Sequence, residues 1–168
     1  MKSAPQKNES LGKLCKLIEP IHTAMLTVSD AEGDLVSMPM APLQMDEDGA
    51  IWFFTDLHSD KVRHLQAVNL SFADGDDSTY VSIAGRGELH SDRAMIQKLW
   101  SVAMKPWFPN GPESPNLTLL KIIPSSAEYW DAPDSKMVRM FAMAASVAAS
   151  KPIGLGKHDV LDDLSAKR

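Results

Sequence analysis

Residues 50–65 read AIWFFTDLHSDKVRHL and join a strongly apolar segment to a polar, basic one. The β-branched and aromatic residues from Ile51 to Thr55 predict a buried strand. A short turn follows, and Ser59 is then a favourable N-cap for a helix over residues 60–67. The stretch therefore predicts a strand, a turn and a helix in immediate succession.

The start of this predicted helix gathers groups that suit a phosphate. Lys61 and Arg63 place two cations in or beside the first turn, and Ser59 adds a hydroxyl. A helix N-terminus also presents free backbone N–H groups and the positive end of its dipole. A capped surface helix with two solvated cations is the simpler account of the same residues, so this segment alone leaves phosphate binding a hypothesis.

Composition narrows the class of protein. A chain of 168 residues suits one domain with a real core, and its net charge of −5 disfavours a broad nucleic-acid or membrane-surface role. The polar N-terminus has no apolar signal core, and no apolar run approaches the ~20 residues of a membrane span. The single cysteine, Cys15, excludes an intrachain disulfide and is expected to be buried. The histidines are scattered, so no metal site is predicted, and we expect a soluble, cytoplasmic protein.

One domain is predicted over residues 10–149, after a flexible tail at residues 1–9. The C-terminal tail at residues 150–168 is expected to be disordered or to form a peripheral arm. Turns rich in Asp and Gly separate its strand segments. Strands are predicted at residues 24–29, 35–41, 50–55, 69–73, 79–84, 86–90, 117–123 and 127–130. Helices are predicted at residues 11–18 (capped by Ser10), 60–67, 92–103 and 136–149.

Strands linked mostly by hairpins, with few helices, predict an antiparallel split β-barrel of six or seven strands with peripheral helices. The class is mostly β, or α+β. Pro39 indicates a sheet edge, a bulge, or a place where something other than a strand meets the backbone. Gly85 and Gly87 indicate a bulge in the later strand material.

Seven motifs spread over residues 10–148 resemble, in order, the flavin-binding split barrel of the pyridoxamine 5′-phosphate oxidase-like proteins. The general stress protein 26 group is the most similar. Any one motif is weakly specific, whereas seven in register are strongly so. They are Met38-Pro39-Met40, Trp52-Phe53-Phe54-Thr55, Ser59-Asp60-Lys61-Val62, Tyr80-Val81-Ser82-Ile83-Ala84-Gly85, Leu99-Trp100, Trp107-Phe108-Pro109 and Glu128-Tyr129-Trp130.

The resemblance implies a homodimer that binds flavin mononucleotide (FMN) in two equivalent clefts between the subunits. Carried over by position, Ser59 and Lys61 would hold the FMN phosphate. Phe54 and Thr55 would line the cleft beside the flavin tail.

The flavin ring has its own set of implied partners. Met38, Pro39 and Met40 would lie along the isoalloxazine ring and offer backbone groups to its polar edge, and Trp107 would reach in from the other subunit. Many relatives carry Arg where this chain has Met38, which removes one cation from the site. Arg63 and Arg86 are candidates to compensate for it.

The implied activity is flavin-dependent redox chemistry on a small molecule, because the flavin itself performs hydride transfer. The chain has no counterparts of the basic and histidine residues with which the true oxidases hold pyridoxamine phosphate. A non-enzymatic flavin-binding stress protein, acting as carrier or sensor, is therefore an alternative. A haem-binding split barrel is a further alternative, since Met38, Met40 and several histidines could ligate iron.

Overall fold

The computed structural model describes residues 1–131, 157–161 and 164, with one mostly antiparallel sheet of nine strands and two α-helices. The mostly β class predicted from the sequence is confirmed. The strands are β1 (Lys2–Ser3), β2 (Ala24–Ser29), β3 (Leu35–Met40), β4 (Gln44–Met45), β5 (Ile51–Asp56), β6 (Val68–Asp74), β7 (Thr79–His90), β8 (Leu117–Asp131) and β9 (Lys157–Leu161). The helices are α1 (Glu9–Ile18) and α2 (Arg93–Leu99), with 3-10 turns at Asp60–Val62, Val102–Met104 and Gly111–Glu113. The helix predicted at residues 136–149 lies outside the described residues.

The sheet is open, with strand order β1-β4-β5-β8-β7-β6-β2-β3. The first half of β8 pairs with β5 and its second half with β9, while β7 runs along its other side. β3 pairs with β2 and ends the sheet, so Pro39 lies on an edge strand, where its missing N–H costs no ladder hydrogen bond. Of the three alternatives that the sequence left open at Pro39, the structure shows the sheet edge.

A bulge bends the longest strand pair. The register between β7 and β8 shifts at Ala84/Gly85, as the glycines predicted, although the four predicted strands merge into two long ones. A Cβ on Gly85 would collide with the carbonyl oxygen of Ile123 and lie 3.1 Å from its carbonyl carbon. Only glycine allows the two backbones to approach this closely.

Two apolar clusters cover opposite faces of β5. Phe53 lies in the barrel core, which α1 closes with Leu14 and Ile18. Trp52 and Phe54 point the other way, into a second cluster beneath Ile96 of α2. Alternate side chains of one strand are thus buried on both faces, which explains its unbroken apolar sequence.

Helix α1 begins two residues earlier than expected. Asn8, and not the predicted Ser10, is the N-cap: its side chain accepts a hydrogen bond from the N–H of Leu11. Cys15 is buried on the inner face of the helix, and this burial raises the pKa of its thiol.

Both terminal segments contribute strands. The flexible tail predicted at residues 1–9 was wrong for residues 2–3, whereas β9 at residues 157–161 agrees with a peripheral arm, one of the two expectations for the C-terminal tail. β1 pairs in parallel with β4, and the Lys7 ammonium lies 2.6 Å from an Asp48 carboxylate oxygen. β9 extends the sheet beside β8. These pairings join residues far apart in sequence, which local composition does not reveal.

The helix predicted at residues 60–67 was also wrong. The chain makes a single 3-10 turn, Asp60–Val62, and Ser59 precedes it without a side-chain capping bond. Leu65 is buried in the barrel core, and its carbonyl accepts a hydrogen bond of 2.7 Å from the N–H of Gly87. The core therefore draws residues 63–67 away from a helical path.

The bulge provides a stability test. Gly85→Ala should lower the free energy of unfolding by about 1–3 kcal/mol, because the new methyl group must displace the β8 backbone. The matched variant Gly12→Ala lies inside α1 with open space around its Cβ and should stabilise the protein by about 0.5–1 kcal/mol. Chemical denaturation of both variants measures the difference. Equal stability of the two would contradict the close approach at Gly85.

Candidate functional site

A cleft of about 540 Å³ opens where β3 and β5 end, beside the segment that follows α2. It is large enough for a cofactor-sized ligand. Apolar and aromatic side chains dominate its wall, with a few polar groups among them. The lining residues are His22, Thr23, Pro39, Met40, Ala41, Phe54, Thr55, Asp56, Ser59, Met104, Trp107 and Phe108.

The end of β5 forms the floor of the cleft. Phe54 and Thr55 are both buried, with exposed fractions of 7% and 5%. The Phe54 ring packs against Trp100, at 5.9 Å between centroids, and against Phe108, at 6.1 Å. Offset and edge-on aromatic pairs of this kind fix ring positions, so the floor is rigid.

The outer wall is the irregular segment after α2. The N–H groups of Trp107 and Phe108 both donate to the carbonyl of Met104, at 3.1 and 3.0 Å, which folds the segment back towards β5. Phe108 packs against the second cluster, whereas Trp107 is 70% exposed at the rim. One side chain anchors the wall, and the other is free to meet a ligand or a partner.

Arg93 holds the far end of this segment. Its guanidinium donates to the carbonyl oxygens of Ser114 (2.9 Å) and Pro115 (3.2 Å), and more weakly to those of Pro112 and Leu117 at 3.4 Å. Asp92 caps α2 by accepting a hydrogen bond from the N–H of Met95. The capped helix thus presents Arg93 to a loop that has no ladder hydrogen bonds of its own.

The edge strand forms the opposite side. Ala24 pairs with Met40, so residues 22–23 and Ala41 continue the same hairpin beyond the last paired residues. Pro39 and Met40 line the cleft along an edge that no described strand covers. Their backbone groups therefore lie at a surface that a ligand can reach.

A tight turn closes the end of the cleft after β5. The N–H of Ser59 donates to the carbonyl of Asp56 at 3.0 Å, and a carboxylate oxygen of Asp56 accepts the N–H of His58 at 2.7 Å. The Ser59 side chain makes no capping bond, and Ser59 lines the cleft. The turn therefore places Ser59 in the cavity wall, while one carboxylate oxygen of Asp56 is occupied by a backbone N–H.

Six of the eight residues expected from the family resemblance line this one cleft: Pro39, Met40, Phe54, Thr55, Ser59 and Trp107. The side chain of Met38 is instead buried in the barrel core, because alternation along β3 turns it inwards. The backbone of Lys61 lies in the 3-10 turn, but its side chain is outside what the structure describes. Trp107, expected from the other subunit, lies in the wall of its own chain's cleft.

Sequence reasoning missed half of the lining: His22, Thr23, Ala41, Asp56, Met104 and Phe108. The hairpin pairing of β2 with β3 could have predicted residues 22–23, since they face the end of the Met38–Met40 motif. Neither proposed compensating arginine lines the cleft. Each arginine instead forms an ion pair with a neighbouring carboxylate. Arg63 Nε lies 3.5 Å from Asp60 Oδ1, and Arg86 Nη2 lies 3.3 Å from Glu88 Oε1.

Within the described ranges, no group of three His, Cys, Asp or Glu side chains is placed to hold a metal ion. The same part of the chain contains no helix long and apolar enough to cross a membrane.

Comparisons with known proteins agree with this architecture. Residues 9–152 match the family described as pyridoxamine 5′-phosphate oxidase like. The fold is similar to that of a protein from Jannaschia sp. CCS1, provisionally described as general stress protein 26, with a TM-score of 0.74 and 24% identity over 90% of this chain and 96% of that chain. The predicted split-barrel fold and family are confirmed.

Two further relatives are more informative in sequence. The general stress FMN/FAD binding protein of Xanthomonas citri is 28% identical, with a TM-score of 0.62 over 73% of this chain and 89% of that chain. Protein bli-3 of Neurospora crassa is 26% identical over 148 residues, which cover 80% of this chain and 70% of that protein.

Arg93→Lys should loosen the outer wall of the cleft, because a lysine cannot reach four carbonyls with a planar fork. We expect amide hydrogen exchange in residues 111–117 to speed up several-fold, with little change in global stability since the guanidinium is exposed. Lys98→Ala, on the exposed face of the same helix, is the control and should leave that exchange unchanged. Unaltered amide hydrogen exchange in Arg93→Lys would show that residues 111–117 keep their conformation without the arginine hydrogen bonds.

Proposed function

The chain belongs to the pyridoxamine 5′-phosphate oxidase-like family, and we propose on that premise that it binds FMN in the cleft between β3 and β5. The observation that carries the proposal is the convergence of six residues, expected from motifs spread between residues 38 and 107, on one cavity. Unrelated surface residues would not meet in this way.

The lining suits the ring of a flavin. Phe54, Met40 and Trp107 offer flat or polarizable apolar surface for an isoalloxazine system. The uncovered edge of β3 offers backbone N–H and C=O groups, which the pyrimidine part of the ring requires as hydrogen-bond partners. We assign Met38 to this edge through its backbone alone, because its side chain faces the core.

The opposite end of the cleft suits the phosphate. Ser59 presents its hydroxyl, and Lys61 follows two residues later in the 3-10 turn. An ammonium group and a hydroxyl both form strong charge-assisted hydrogen bonds with a phosphate dianion. The short turn supplies less of a helix dipole than the predicted helix would, so the proposal places more weight on Lys61.

Bound FMN would supply hydride or electron transfer, and the protein would supply binding and orientation. We propose flavin-dependent redox chemistry on a small molecule, since the cleft walls need no catalytic side chain of their own. A carrier or sensor is the alternative. Reduction of the bound flavin by NADH or NADPH, followed by turnover with an acceptor, would exclude that alternative.

FMN binding can be measured directly. After addition of FMN and desalting, the purified protein should retain the two visible absorption bands of the flavin; a colourless protein would overturn the proposal, and a Soret band after haem addition would favour the haem alternative. Lys61→Ala should weaken FMN affinity about tenfold or more, because it removes a charge-assisted bond to the phosphate. Lys16→Ala, on α1 outside the cleft, is the charge-matched control.

We also propose a homodimer with the cofactor sites at the subunit interface. Val102 and Trp107 are 79% and 70% exposed beside the cleft, where a partner subunit would cover them. Light scattering at micromolar concentration should give twice the chain mass of 18.4 kDa. Trp107→Ser should shift the protein towards the monomer, whereas Leu35→Ser, exposed at the distant start of β3, should not. A monomeric wild-type protein would contradict the dimer.

A further inference from the structure

His22 is a titratable side chain of the cleft that the family motifs do not include. It lies in the turn between α1 and β2, is exposed, and lines the cavity. It takes part in no hydrogen bond or ion pair with the described part of the chain. A free imidazole in a ligand-sized cavity has donors and acceptors available for whatever binds there.

The sheet register fixes which end of the cleft His22 occupies. Ala24 pairs with Met40 at the last rung of the β2–β3 hairpin. His22 stands two residues before Ala24 and therefore lies beyond that rung, and Ala41, which follows Met40, lines the same cavity. Ser59 belongs to a different element, the turn after β5. His22 is thus at the edge-strand side of the cleft, where the proposed function puts the flavin ring.

We propose that the His22 imidazole donates a hydrogen bond to the pyrimidine edge of the bound flavin. This inference rests on the proposed FMN site and adds to it the side-chain partner of the ring. The pyrimidine edge carries acceptor atoms at N1 and O2, and it gains negative charge when the flavin is reduced. A protonated imidazole therefore stabilises the reduced flavin more than the oxidised one.

Few charged groups surround the cleft, so the effect of His22 on flavin binding can be distinguished from the effects of other charges. Asp56 lines the cavity from the end of β5, and its carboxylate is bonded to the N–H of His58. Glu19 follows α1, and Lys105 follows the 3-10 turn in the outer wall; neither lines the cavity. The Lys61 side chain, outside the described part, belongs to the proposed phosphate end.

Riboflavin separates the ring from the phosphate, because it carries the same ring and has no phosphate. We would titrate wild-type protein and His22→Gln with FMN and with riboflavin, following the quenching of flavin fluorescence. His22→Gln should lose affinity for both ligands by a similar factor, about tenfold, because both present the same ring edge. Lys61→Ala should lose affinity for FMN alone.

A variant that keeps a positive charge gives a second readout. His22→Lys retains an N–H donor and a positive charge, so it should bind riboflavin more tightly than His22→Gln does. His158→Gln removes an imidazole from β9, outside the cleft, and should behave as wild type.

The bound flavin also reports on His22 through its reduction potential. His22→Gln should lower the midpoint potential of bound FMN, because the reduced form loses more stabilisation than the oxidised form. A loss confined to FMN would place His22 at the phosphate, and an unchanged affinity and potential would remove it from the site; either result overturns the inference. Wild-type protein that binds no flavin would instead refute the proposed function itself.

Discussion

The cleft depends on the burial of β5 on both of its faces. Phe53 is held in the barrel core, and Phe54 is held under α2 and the irregular segment that follows it. A strand packed on both sides has no freedom to slip by one residue, since a slip would exchange the two sets of side chains. The turn that carries Ser59 leaves the end of this fixed strand and therefore emerges at a fixed place.

Local sequence was sufficient wherever a residue type has a strong backbone preference. Pro39 marked the sheet edge and Gly85 marked the bulge, because each has a physical property that few positions tolerate. Distant contacts decided the rest. Leu65 is pulled into the core and ends the predicted helix after one turn, while β1 and β9 exist because remote strands offer them free edges. Those forces do not appear in a window of ten residues.

The candidate site followed the same division. Motif positions predicted six lining residues, including Phe54 and Ser59, which lie on or directly after β5. They did not predict His22, which reaches the cavity only because the β2–β3 hairpin continues past its last hydrogen bond. Met38 is the opposite case. It belongs to a motif, but the alternation of side chains along β3 places its side chain in the core. Residue types in the motifs indicated where the site lies, and the strand register determined which side chains line it.

The hydrogen bonds from Arg93 to the outer wall affect which substitutions the cleft can accept. The guanidinium holds main-chain oxygens that every amino acid possesses, so the anchorage does not depend on the identity of the residues held. Substitutions around Trp107 can therefore change the chemistry of the wall while its position is inherited unchanged. In this chain, the position of the wall and the chemistry of its surface are therefore set by different residues.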